Sequence, residues 1–148
     1  MITSIDRASL SPRTNKGGSN FSYDPGIDGQ GRYVIFTSLA DNFPTNEAVK
    51  GKYHEHAYLG DTLTGRTIQL DITPRGKTGS PGRSFSPFER SFICSIDGHI
   101  SRDANYAVFK SFARNLAADH YHRNGVSWVY RKNIMSGAAD TDPLCKRR

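Results

Sequence analysis

A chain of 148 residues, 36% of them hydrophobic and with a formal charge of +6, is sized for one ordinary domain and carries enough Tyr, Phe and Ile to fold. No apolar run approaches the ~20 residues of a membrane span, the longest being of the Val34-Ile35-Phe36 kind. Cys94 and Cys145 make no disulfide framework, and 14 Gly with 7 Pro spread along the chain favour short strands and frequent turns.

Met1–Arg7 lacks a basic segment followed by an apolar stretch, so the expectation is cytoplasmic synthesis without a secretory leader. From there the chain repeats itself. Residues 24–43 and 97–116 align without a gap at an offset of 73, with identities Asp24/Asp97, Ile27/Ile100, Tyr33/Tyr106, Phe36/Phe109, Ser38/Ser111, Ala40/Ala113 and Asn42/Asn115. Those seven matches compare with about one expected from typical composition. The likeness resumes at an offset of 72 with Tyr58/Tyr130 and Gly65/Gly137. Each copy predicts a tight turn (Gly29–Arg32, Arg102–Asn105), an apolar strand (Tyr33–Phe36, Tyr106–Phe109) and a further strand (Glu55–Leu59, Ser127–Tyr130). Ile27, Tyr33, Phe36, Ile100, Tyr106 and Phe109 are the expected repeat core. Thr67–Ile72 predicts one more strand after the first copy. The Pro- and Gly-rich run Thr73–Arg83 then excludes helix and strand.

The order of turn, Arg-Tyr-Val-x-Phe, Ser-x-Ala-x-Asn-Leu, Asx-rich loop, aromatic strand and Thr-Gly resembles the TolB-like β-propeller repeats. Residues 25–36, 111–116, Asp119, 124–127 and 128–130 carry the resemblance. It implies an all-β fold of two four-stranded antiparallel blades belonging to a larger ring or assembly. The departures are a split Asp-Gly turn, with Ala104 where glycine is usual, Gly98 where the first copy has Pro25, His120-Tyr121-His122 in the loop, and no clear fourth strand at 138–143. The implied organisation is an N-terminal strand and linker at 1–18, a first blade at 19–72, a linker at 73–90, a second blade at 91–137 and a basic tail at 138–148.

Two blades leave sheet faces and edges uncovered. The expectation is therefore a homo-oligomer or an assembly with other subunits, in which the N-terminal strand of one chain completes the second blade of a neighbour, or of its own chain if the unit is more compact. The function expected is that of a structural or interaction subunit, for instance a virion component, and not an enzyme. The alternative is a glycan-binding propeller formed as a ring. Trp128, Tyr130 and Tyr58, with His120 and His122, are its candidate ligand or partner contacts.

Other chemistry has thinner support. The i, i+2 pairs His54/His56 and His120/His122 have ligand spacing, yet fall in loops where exposed histidines are ordinary. Asp119 and Asn124 lack the dense carboxylates of a calcium loop. No Gly-x-Ser-x-Gly elbow is present, Cys94 has no local signature, and Asp24, Asp28, Asp97 and Asp103 are expected to cap turns. No cofactor is expected. Arg75, Lys77, Arg83 and the tail Lys146–Arg148 are basic without interleaved aromatics, so nucleic acid is not the expected partner.

Overall fold

The structure is a computed structural model that describes residues 5–11, 16–43, 54–73, 75–79, 92–93, 95–113, 115–117 and 126–134. The described residues form an all-β fold without helix. Strands β1 (Ser22–Ile27), β2 (Tyr33–Ser38), β3 (His54–Asp61) and β4 (Arg66–Gln69) make an antiparallel sheet in the order β1-β2-β3-β4. The two-residue strand β5 (Phe92–Ile93) adds to it by pairing in parallel with His54–Glu55. Strands β6 (Ser95–Ile100), β7 (Tyr106–Ser111) and β8 (Trp128–Asn133) form a three-stranded antiparallel sheet. The expected fourth strand of the second blade falls at 138–143, outside the described residues.

The two sheets are copies of one another in detail. Ser22 pairs with Ser38 as Ser95 does with Ser111, and Phe36 faces Tyr58 as Phe109 faces Tyr130. Both first hairpins shift register at the same place, between Tyr23 and Gly26 and between Ile96 and His99. Inside those bulges Asp24 and Asp97 have φ of 51° and 55°. They are therefore left-handed bulge residues, which aspartate tolerates better than most side chains, and not turn caps. The turn that follows has Gly31 at φ 75° in one copy and Ala104 at φ 59° in the other. The sequence departure at Ala104 thus keeps the turn geometry. Asp28 Oδ1 accepts the Tyr33 amide at 2.8 Å, and Ser101 Oγ accepts the Tyr106 amide at 3.0 Å. Ser38 and Ser111 each accept the amide two residues on, from Ala40 and Ala113.

Strand alternation gives each sheet two faces. On the first sheet Ile35, Ala57 and Leu59 point one way, while Val34, Phe36 and Tyr58 point the other. Ile35, Ala57, Leu59 and Leu70 join Ala107, Phe109, Ala113 and Leu116 of the second unit in one buried cluster, with Tyr33, Ile100 and Tyr130 against it. One face of the first sheet therefore packs on the opposite face of the second. Phe36, Ala40, Phe43 and Tyr58 form a second cluster behind the first sheet.

The approach between the sheets is close. A Cβ on Gly98 would lie 2.6 Å from Ile35 Cδ1, and one on Gly29 would lie 2.7 Å from the Arg102 carbonyl oxygen. The Gly29 amide donates to that same oxygen at 3.0 Å. Gly98→Val and Gly29→Ala should each destabilise the fold by about 1–3 kcal/mol, the usual cost of overpacking. Leu63→Ala, at an exposed position, should stay within about 0.5 kcal/mol of the parent. Urea midpoints at constant m-value check this.

Candidate interaction surface

Of the expected repeat core, Phe36 and Phe109 are buried, and Tyr33 and Ile100 are packed on the core. Ile27 and Tyr106 correct the expectation, being 60% and 37% exposed. The reason lies in the stacking. Ile100 is covered because the first sheet lies over it, whereas its counterpart Ile27 lies on the face turned away from the second sheet. Tyr33 is covered by the second sheet, and its counterpart Tyr106 lies on that sheet's outer face. The two-sheet stack thus ends in two unlike faces.

The outer face of the second sheet carries Tyr106, Val108, Lys110, Val129, Arg131 and His99. These are the counterparts of Tyr33, Ile35, Thr37, Ala57, Leu59 and Gly26, which face the second sheet inside the chain. Val129 is 63% exposed. Lys110 Nζ meets Asp97 Oδ2 at 3.0 Å, and the Arg131 guanidinium stacks 4.8 Å above the Tyr106 ring. Charged side chains are thus laid over the apolar surface, their stems in contact with it.

The far face of the first sheet is partly covered by an N-terminal arm, residues 5–11 and 16–18. This arm is a third repeat. Residues 10–18, Leu-Ser-Pro-Arg-Thr-Asn-Lys-Gly-Gly, match 72–79, Ile-Thr-Pro-Arg-Gly-Lys-Thr-Gly, with identities Pro12/Pro74, Arg13/Arg75, Lys16/Lys77 and Gly18/Gly79. Leu10 bridges Gly17 as Ile72 bridges Thr78. The Ser11 amide donates to Lys16 O, and the Thr73 amide to Lys77 O, both at 2.7 Å. Asn42 Nδ2 donates to Gly17 O, and Asn115 Nδ2 to Thr78 O, both at 3.1 Å. Gly18 lies against Ala40 and Phe43 as Gly79 lies against Ala113 and Leu116. The run from Thr73, expected to hold no strand, is thus a short hairpin closed by a single bridge and seated on the second sheet.

Of the candidate aromatic contacts one is buried and two are half-buried. Tyr58 is fully buried, its ring 5.8 Å from Phe36 and 5.0 Å from Phe43. Tyr130 stacks on Phe109 at 6.0 Å, and Trp128 is half-buried. His120, His122, Asp119, Asn124, Cys94 and Cys145 lie outside the described residues. His56 lies in a strand, as the expected strand Glu55–Leu59 has it, and is buried where its reading as one of a loop histidine pair made it exposed. Its Nδ1 lies 2.7 Å from Asp71 Oδ2, and Gln69 Nε2 donates to Asp71 Oδ1 at 2.9 Å. Among the described residues no group of three or more His, Cys, Asp or Glu is placed to hold a metal ion. Sequence reasoning missed this polar cluster because His56 comes from one segment and Gln69 and Asp71 from another.

Lys132 approaches the cluster from the second sheet, donating to the Leu70 carbonyl at 2.8 Å. Burial pushes its pKa down to about 8, and the charge of Asp71 opposes that shift. Between about 8 and the ordinary value of 10.5 the unfolded chain holds a proton that the folded chain has released, so this group makes stability rise with pH across that window. Urea midpoints measured from pH 7 to 10 should rise relative to those of Lys132→Met. Parallel pH profiles for the two chains would refute the assignment. No protein-family model matches the chain, and no curated protein matches it in sequence, so a functional reading rests on the surfaces described above.

Proposed function

We propose that the chain is a structural or interaction subunit that assembles through its sheets, each a blade in a propeller-like stack. The observation that carries this reading is the packing within the chain. The face of the first sheet bearing Ile35 and Leu59 is buried on the face of the second bearing Ala107 and Phe109. Among the described residues a copy of the first face lies exposed at one end of the stack, with Val129 and Tyr106 on it, and a copy of the second lies at the other end, where the arm covers part of it and Ile27 stays exposed. A further copy of the chain offers a surface of the matching kind to each.

The open pair also carries compensating changes in volume. Inside the chain a large Ile35 meets Gly98. Across the open faces the same positions are Val108, which is smaller, and Pro25, which is larger. Such exchange keeps total volume, the change packed interiors tolerate best. The resemblance to TolB-like repeats agrees with this reading and adds a ring as the simplest closed form. Of the aromatic residues expected at a glycan site, Tyr58 is buried and Tyr130 packs on the core, while Trp128 is half-buried. The reading gives the chain no catalytic role.

Sedimentation velocity over a wide concentration range tests the proposal. The expected result is a discrete species of several chains. Val129→Glu and Ile27→Glu, each placing a charge in a face that must dehydrate, should both shift the distribution to single chains while leaving the thermal midpoint within a few degrees. A parent chain that sediments as one copy at every concentration overturns the proposal.

A further inference from the structure

The arm repeat fixes more than a family likeness between hairpins. Ala8 corresponds to Leu70, and Leu10 to Ile72, at an offset of 62. The equivalence extends to what each segment lies on. The Ala8 carbonyl oxygen is 2.7 Å from where a Cβ on Gly60 would stand, and the Leu70 carbonyl accepts from Lys132, the counterpart of Gly60. In the second instance the residues immediately before Leu70 are β4, which is hydrogen-bonded to the edge of β3. At the same offset Ile5, Asp6 and Arg7 hold the places of Thr67, Ile68 and Gln69. Among the described residues Ile5–Arg7 belong to no strand, and Ile5 is 91% exposed. At the other end, among the described residues, the second sheet stops at β8.

We propose that Ile5–Arg7 of one copy adds as an antiparallel fourth strand to β8 of a second copy. This rests on the assembly reading above and names its partner and register. Thr67 pairs with Gly60, and Ile68 with Leu59. Carrying those pairs across by the offsets of 62 and 72 sets Ile5 opposite Lys132 and Asp6 opposite Arg131. An acid and a base then face each other on one side of the new pair, where opposite charges favour the register. Ile5 comes to lie over the aliphatic stem of Lys132 on the other side. The contact is head-to-tail. The arm of each copy reaches back to the second sheet of the copy before it, so the same step repeats until a ring closes or a filament grows. Main-chain hydrogen bonds supply affinity, as in other strand additions, and the Asp6–Arg131 pair supplies register.

Sedimentation and native mass measurement of four chains test this. Deleting residues 1–6 spares Arg7, whose side chain packs over Gly17 in the arm, and should abolish association. Asp6→Arg and Arg131→Asp should each weaken it by about tenfold or more. The double variant Asp6→Arg/Arg131→Asp should regain the parent affinity, which a merely misfolded single variant would not allow. If the parent associates and Val129→Glu dissolves it, while the 1–6 deletion leaves the affinity unchanged, the arm proposal falls and the assembly reading stands. Failure of the double variant to recover overturns the register. Loss of assembly on deleting 138–148, with none on deleting 1–6, assigns the fourth strand to the other terminus and overturns the proposal. A parent chain that never associates overturns both readings.

Discussion

The structure depends on how closely two sheets can approach. Gly98 lets β6 sit directly on the Ile35 side chain, and Gly29 lets one hairpin turn hydrogen-bond to the other through the Arg102 carbonyl. At that separation Ala107 and Phe109 pack with Ile35, Ala57 and Leu59 in one buried cluster. Displace either glycine and the shared core opens. The larger buried cluster draws on both sheets, and only the first sheet has a further cluster of its own, around Phe36, Phe43 and Tyr58. The Leu70–Gly79 segment reinforces the joint. It leaves the edge of the first sheet, crosses to the second, and is fastened there by Asn115 and Lys132.

Repetition explains which sequence identities survive. Ser38 and Ser111 recur because each accepts an amide where its strand ends, and Asn42 and Asn115 recur because each fastens the hairpin arriving from the preceding unit. Asp24 and Asp97 recur because both bulges need a left-handed residue. The differences are equally physical. Leu59 faces a neighbouring sheet, and its counterpart Arg131 faces solvent. Gly60 sits under a carbonyl, and its counterpart Lys132 donates to one.

These causes set how much was legible in the sequence. The hairpins were, because β1–β2 and β6–β7 keep the same offset of 73 and Asp24 and Asp97 recur at the same place. Their register follows from the same alignment. The exposure of Ile27 and Tyr106 was not legible. Apolar identity shows that a position suits a blade interior, but burial depends on whether a sheet lies over that face. The burial of His56 was not legible either, because a histidine in the strand Glu55–Leu59 does not announce which face is covered. Its partner Asp71 is set by a chain reversal that no local pattern announces. The arm repeat escaped because its offset is 62 instead of 73, with one extra residue between Arg13 and Lys16. A search at a single register does not see it. The short β5 pairs in parallel with β3, a long-range contact without a sequence signature.

The charge pattern of the open faces follows from the same stacking logic. A bare copy of the inner face, with Ile35, Ala57, Leu59 and Thr37, would be sticky toward any apolar surface. On the second sheet those positions are Val108, Val129, Arg131 and Lys110. The cations lie on Tyr106 and against Asp97, which keeps the face wettable without removing its apolar floor. Such a surface discriminates. A neighbour that brings only hydrophobic area must bury Lys110 and Arg131 with their charges poorly compensated, which is costly. A neighbour that also brings an acid at the right position is favoured, and one that brings a base is repelled. Asp6, three residues from where the arm is held against the first sheet near Gly18, is the acid that the chain itself carries toward that position. In the proposed assembly, selectivity for its own kind comes from the divergence between repeats, while the ability to stack at all comes from their likeness.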